Sequence, residues 1–270
     1  MMYSNLDLSP RRPGHANVYA NFAQSIDGVI GVVDQNLRIG SDRDRMVMEE
    51  LRAHADAIIH GPNTARHSGY GTRLATPEVV KMREGLGKLD PFIYVVVTRY
   101  PNEELQKNLE SAEPHVIPLL ASPAGSRRKS SLPRQAVIPA EAGIQNELSW
   151  IPGQARDDGE GKGGVSTSRQ FEADGESNLA YNNLDDLLAQ LHARGAQRIL
   201  LECGPRLLKE FINAALLTDL FITIAPSISA GSPLNLRLDG VNSWQKLDLV
   251  AAQTVENEIY CHYRLRTEDS

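Results

Sequence analysis

At 270 residues, 41% hydrophobic and 23% charged, the chain has the composition of a globular protein, which excludes collagen, coiled coil and wholesale disorder. Its 34 acidic against 28 basic side chains, a formal charge of -6, leave no basic excess to neutralise a phosphate backbone, so nucleic acid is not an expected partner. Two cysteines, Cys203 and Cys261, exclude a disulfide framework and a thiolate-rich zinc site, and fit a reducing cytoplasm. Residues 1–14 carry Arg11 and Arg12 without an apolar segment, and are read as a flexible tail rather than an export leader. No run of eighteen apolar residues occurs, so no membrane span is expected.

Strand-like and helix-like stretches then alternate. Strands are expected at Val18 to Phe22, Ala57 to His60, Phe92 to Thr98 and His115 to Leu119, then at Ile199 to Cys203, Leu220 to Ala225, Leu247 to Ala252 and Ile259 to Leu265. Between Arg43 and Ala55, Val47, Leu51 and Ala55 form one apolar stripe. Leu184, Leu187, Leu188 and Leu191 form another, capped by Asn183 and ended by Gly195, and Leu207, Leu208, Phe211 and Ile212 a third. Tyr94 to Val97 is apolar on consecutive positions, which indicates a strand buried on both faces. The pattern predicts an α/β fold around a mainly parallel twisted sheet of about eight or nine strands, with helices on both faces.

Residues 122–178 break this pattern. They contain eight Gly, four Pro and eight Ser, against nine residues of Leu, Ile, Val, Phe and Trp. That is too little apolar surface to offset chain entropy, so the segment is read as a mobile insertion in one domain spanning 15–270. Its part from Ala136 to Gly159 resembles translated copies of small palindromic repeats that interrupt bacterial reading frames.

In an open parallel sheet, ligands bind beyond the carboxyl ends of the strands, so the residues after each strand carry the functional argument. Glu202-Cys203-Gly204-Pro205 follows an apolar strand and opens a helix whose free N–H groups suit an anion. Glu202 stands out because a carboxylate at the end of a buried strand is costly unless paired or functional. Gly61-Pro62-Asn63-Thr64 follows another strand and suits a pyrophosphate or ribose, or is a simple tight turn. Asn21, Ser25 and Asp27 line a pocket on one reading, whereas on the other Asp27-Gly28 is a plain hairpin turn. Ser41 and Asp44 have the spacing of a capping box, at a helix start that is also able to grip a phosphate.

In this order the segments resemble the reductase family of riboflavin biosynthesis, which has the dihydrofolate reductase-like fold. The resemblance is carried by Asn21 and Ala23 with Ser25-x-Asp27-Gly28; Gly40-Ser41-x-x-Asp44; Leu51-Arg52-Ala53-x-Ala55-Asp56-Ala57; and Gly61-x-x-Thr64. Glu202-x-Gly204-Pro205 with Leu207, and Ala225-Pro226 near Gly231, complete it. Two departures stand out: Cys203 replaces the usual first glycine of Glu-Gly-Gly-Pro, and no His-x-Glu followed by Cys-x-x-Cys is present to build the zinc deaminase that some members carry. The resemblance implies a standalone reductase domain. It would use NADPH to convert the ribosyl group of a 5-amino-6-(5-phosphoribosylamino)uracil-like pyrimidine to a ribityl chain, in the cytoplasm and as a homodimer, as is common for this fold. On that reading Ala23, Gly61, Thr64, Gly204, Pro205 and Leu207 line the cofactor, and Arg99, with Arg66 and Arg73 behind it, meets the 2'-phosphate. Asn21, Ser25, Ser41 and Asp44 then face the substrate. Asp27 and Glu202 are the candidate catalytic carboxylates, Glu202 either orienting the substrate or assisting proton transfer. The alternatives are a pteridine or dihydrofolate reductase of the same fold and a catalytically silent nucleotide-binding relative.

Overall fold

The computed structural model describes residues 1–11, 14–32, 39–67, 74–88, 92–110, 116–125, 178–228, 233–235, 241 and 245–266. Its main sheet is built from β1 (Asn17–Gln24), β3 (Ala57–His60), β4 (Phe92–Val97), β5 (Val116–Pro123), β6 (Asn178–Tyr181), β7 (Arg198–Glu202), β8 (Asp219–Ile224), β10 (Leu247–Val255) and β11 (Glu258–Leu265). The order is β10-β11-β8-β1-β7-β3-β4-β5-β6, parallel from β8 to β6, with β11 antiparallel to both its neighbours. This is the α/β, mainly parallel sheet expected, with nine strands among the described residues. A separate two-stranded sheet pairs β2 (Val29–Val32) with β9 (Pro233–Asn235), neither of which the sequence pattern marked.

Strand alternation divides the core into two layers. Val18, Ala20, Ile199, Leu201, Ile93 and Val95 pack on one face against α5 (Leu184–Ala193) and α6 (Pro205–Asn213), through Leu187, Leu191 and Phe211. Tyr19, Leu200, Tyr94 and Val96 face the other way, toward α1 (Asp42–His54), α2 (Pro62–His67) and α4 (Glu103–Glu110), through Val47, Leu51, Ala65 and Leu105. α3 (Pro77–Gly85) packs its Val79 and Met82 with Ala53 of α1. Every residue of β4 is buried, as its unbroken apolar run predicts. The helix ends follow their sequence signals: Asn183 Oδ1 accepts the Asp186 N–H at 2.9 Å, and Gly195 closes α5 at φ +91°.

Two expectations change. The N-terminal residues pack instead of trailing: Tyr3 and Leu8 are buried in the α1-side core, and Glu50 Oε2 accepts the N–H groups of Met2 and Tyr3 at 2.6 Å each. Single apolar residues scattered through a polar stretch carry no periodicity, which is why this contact was not legible. The insertion is also narrower at its borders. β5 continues to Pro123 and β6 begins at Asn178, with Leu120 beside Asn178 and Pro123 beside Tyr181, while residues 126–177 lie outside those described.

One connection positions the site. The chain runs β3, β4, β5, β6 outward and then returns to lay β7 between β3 and β1. Three carboxyl ends distant in sequence thus become neighbours, the topological switch at which such sheets bind ligands.

Candidate active site

His60 and Glu202 are register partners on β3 and β7, so the turns that follow them leave adjacent strands about 4.8 Å apart along one edge. Gly61 and Gly204 both open onto space, since a Cβ at either would meet nothing within 4 Å. Gly204 caps α6 without any side-chain bond, Pro205 takes the first helical position and no acid stands in the first turn. The positive end of the α6 dipole therefore faces this edge uncompensated. The two predicted turns are brought together. Thr64 sits in the first turn of α2, and Leu207 in the first turn of α6 packs against the core below.

Cys203, the departure from the family pattern, does not block the turn. Its side chain is buried in the α5 and α6 layer, opposite Glu202, and burial pushes the thiol up to about 12.

Glu202 lies on the α1 face, 10% exposed, with both oxygens engaged. Oε1 accepts Arg52 Nε at 2.6 Å, while Oε2 accepts Arg52 Nη2 at 2.7 Å and lies 3.0 Å from His60 Nε2. His60 Nδ1 in turn lies 2.9 Å from the Tyr94 hydroxyl. Burial alone would raise the Glu202 pKa, but the Arg52 charge and the hydrogen bonds from Arg52 and His60 outweigh it and hold the carboxyl well below the usual range. Glu202 is thus a saturated carboxylate with no proton to give, and of its two predicted roles the geometry supports orientation. Arg52, His60 and Tyr94 carry no local sequence signal for this role. The signal available was the cost of burying Glu202, which demands a cation on a facing element.

Asn21 follows Ala20, the partner of Leu201, and so stands next to Glu202 along the edge, with its Oδ1 buried and without a hydrogen-bond partner. Ala23 pairs with Thr223 on the other side of β1. Beyond them, Ser25 Oγ donates to Asp27 Oδ1 at 2.5 Å and accepts the Val29 N–H at 3.0 Å, and Gly28 adopts φ +82°. Ser25 is buried within this turn and Asp27 is exposed on it. The turn reading therefore holds, but β2 departs to pair with β9 and does not form a hairpin with β1.

Ser41 caps α1 as predicted, accepting the N–H groups of Arg43 and Asp44 at 3.1 and 3.3 Å. The reciprocal half of the capping box comes from elsewhere. Buried Glu258 of β11 accepts the Ser41 N–H at 2.8 Å and its hydroxyl at 2.6 Å, and also accepts the Tyr260 hydroxyl. The Asp44 carboxylate instead folds back over Gly40, where a Cβ would lie 2.1 Å from Oδ2. With Glu258, Asp42 and Asp44 around it, this helix start is already neutralised.

Of the predicted cations, Arg99 is exposed and ion-paired with Glu210, Arg66 Nη1 donates to Asn63 at 2.8 Å, and Arg73 lies outside the described residues. A cavity of about 430 Å³ lies elsewhere, between Gly14 to Ala16 and the start of α5, away from these groups.

Residues 16–261 match the family described as the RibD C-terminal domain. The chain belongs to this reductase family. Its fold is shared with a pyrimidine reductase-like protein from Corynebacterium diphtheriae, at 20% identity and a TM-score of 0.61, covering 94% of this chain and 93% of that one. RibD from Acinetobacter baumannii aligns at 16% identity and a TM-score of 0.58, with 94% of this chain covering 59% of its length. The riboflavin biosynthesis reductase Rib7 of Saccharomyces cerevisiae aligns at 11% identity and a TM-score of 0.51, over 95% and 92% of the two chains. No curated protein sequence matches. Among the described residues no three His, Cys, Asp or Glu side chains group to hold a metal, and no helix is long and apolar enough to cross a membrane.

Proposed function

We propose that this family member is an NADPH-dependent reductase that converts the ribosyl group of a 5-amino-6-(5-phosphoribosylamino)uracil-like pyrimidine to a ribityl chain, as part of riboflavin biosynthesis. The observation that carries the reading is the adjacency of the Gly61–Thr64 and Cys203–Pro205 turns beside the uncapped start of α6. Open backbone at two glycines and an uncompensated helix dipole suit a pyrophosphate. When bound, the nicotinamide supplies the hydride that reduces the sugar C1'.

The chain's own residues hold and shield. Gly61, Thr64, Gly204, Pro205, Leu207 and Ala23 line the dinucleotide. Arg99 meets its 2'-phosphate by exchanging Glu210, a surface ion pair worth at most about 1 kcal/mol, for a dianion. Asn21 presents an unpartnered acceptor to a ligand N–H. Glu202, held by Arg52, orients, and the exposed carboxylate of Asp27 is our candidate for proton transfer. Ser25 and Ser41 support this wall from within it, their hydroxyls being engaged by Asp27 and Glu258. A pteridine reductase would need a buried carboxyl able to protonate a ring nitrogen; Glu202 is ionised and Asp27 exposed, which favours the ribosyl substrate. Two buried, unbridged thiols accord with a cytoplasmic protein, and we read the active unit as a homodimer.

The test is optical assay of NADPH oxidation with the phosphoribosylamino-pyrimidine and with dihydrofolate in parallel. Turnover of the first alone is expected. NADPH at a hundred times its dissociation constant should stabilise the fold by about 2.7 kcal/mol. No stabilisation and no oxidation would refute the proposal, and preference for dihydrofolate would transfer it to the pteridine reductases.

A further inference from the structure

We infer that His60, backed by Tyr94, is a positioning residue for the dinucleotide turn, acting through Glu202. This rests on the reductase reading above and extends it to residues that touch neither cofactor nor substrate.

His60 is fully buried at the end of a strand whose other residues are Ala57, Ile58 and Ile59. An apolar side chain would fill the place without the cost of desolvating an imidazole. What His60 adds is direction. Glu202 is an ionised acceptor, so His60 Nε2 carries the hydrogen and donates it across 3.0 Å. Nδ1 lies 2.9 Å from the Tyr94 hydroxyl, which donates to it in the neutral tautomer. The rings of His60 and Tyr94 meet edge to face, with centroids 5.0 Å apart and planes at 79°, which fixes the imidazole in that orientation.

Arg52 already engages both oxygens of Glu202, so the histidine's hydrogen bond contributes by fixing where the carboxylate points. The bond also joins the last residues of β3 and β7, one position before Gly61 and two before Gly204. It sets the spacing of the two turns whose adjacency makes the dinucleotide site, and a loosening of well under an ångström there is enough to weaken a preorganised contact. Tyr94, one strand further on, stiffens the pair from behind.

The experiment measures NADPH dissociation constants and ligand-free thermal midpoints for the unaltered full chain and for His60→Leu, His60→Gln and Tyr94→Phe. Leucine is expected to weaken NADPH binding about tenfold or more, the loss of one hydrogen bond to a charged group. Glutamine, which keeps a donor for Glu202 and an acceptor for Tyr94, should restore affinity to within about threefold. Tyr94→Phe should fall between them. A lower midpoint with unchanged affinity in the leucine variant would make His60 a stability residue only and overturn the inference, as would equal affinities for leucine and glutamine. Should the leucine variant fail to fold, Tyr94→Phe decides: weaker binding upholds the inference and unchanged binding overturns it. Failure of the unaltered chain to bind NADPH removes the reductase reading itself, and this inference with it.

Discussion

Replacing Arg52 with Met keeps most of the side-chain volume on α1 and removes the guanidinium that pairs with Glu202. The carboxylate is 10% exposed, so water cannot take over the two bonds at 2.6 and 2.7 Å that Arg52 supplies, and among the described residues the hydrogen bond from His60 is what remains. Stranding one half of a buried ion pair costs about 3–5 kcal/mol. For a domain of this size each kcal/mol lowers the thermal midpoint by about 2–4 °C, so a fall on the order of 10 °C is expected, read equally well from urea titration at pH 7. The double variant Arg52→Met, Glu202→Leu removes both charges and should recover most of that loss, because the pair's own net contribution is small. Acid provides an independent check. The folded pKa of Glu202 lies below its unfolded value of 4.5, so its contribution is complete above that pH and is lost as pH falls through the folded value. The unaltered chain should therefore lose stability below pH 4.5 more steeply than the double variant. A single Arg52→Met variant that costs under 1 kcal/mol, or a double variant no more stable than the single, would refute the account of Glu202 as a paired carboxylate.

Other parts of the molecule give further outcomes. His54 is buried, its Nε2 lies 2.7 Å from the Tyr3 carbonyl oxygen, and desolvation pushes its pKa down to about 4. The unfolded chain, with an ordinary value near 6.5, takes up that proton first, so acidification from pH 6.5 to 4 should cost on the order of 3 kcal/mol; a His54→Gln variant, measured by denaturant midpoint against pH, should lose that slope. Ser41→Ala removes the α1 cap and one of Glu258's hydrogen bonds and should destabilise by about 1–2 kcal/mol in urea, whereas Gly28→Ala, at φ +82° with open space around it, should cost about 1 kcal/mol through backbone strain alone. Replacing residues 126–177 by a linker of about ten Gly and Ser residues should leave NADPH binding intact and raise stability by about 1.4 kcal/mol, the closure entropy of a roughly fivefold shorter connection. Direct fusion of Gly125 to Asn178 should fail in the same stability assay, because Asn178 lies beside Leu120 and the chain would have to double back along β5.

The fold was legible wherever burial wrote itself into local pattern. Tyr94 to Val97 reads as a strand buried on both faces because a parallel strand sandwiched between helices needs apolar residues at every position, and all four are buried. α5 reads from its leucine stripe with Asn183 and Gly195 at its ends, since caps are local chemistry. β6 escaped because its four residues, Asn178 to Tyr181, alternate exposed and buried and abut a polar stretch, so they dilute into it. β2 and β9 escaped for the same reason: three or four residues carry no period, and their pairing joins segments about two hundred positions apart.

The site was legible at its backbone and hidden in its side chains. Glycines and prolines announce turns by their own conformational limits, so Gly61, Gly28 and Gly204-Pro205 could be placed without knowing their neighbours. The partners of Glu202 and Ser41 could not, because Arg52, His60 and Glu258 reach them across 150, 142 and 217 positions of chain. That difference decides where an anion belongs. The starts of α1 and α6 were read alike, as helix termini able to grip a phosphate, yet only α6 is bare. α1 has Asp42 and Asp44 in its first turn and Glu258 filling its cap, so a phosphate arriving there would meet carboxylates where it needs donors. At α6 the cap is Gly204 and the first turn carries no acid, so the same dipole is left for a ligand to satisfy. On the proposed reading this asymmetry favours the β7 side of the sheet edge for the dinucleotide's phosphates, while Ser41 ties the start of α1 to β11 through Glu258.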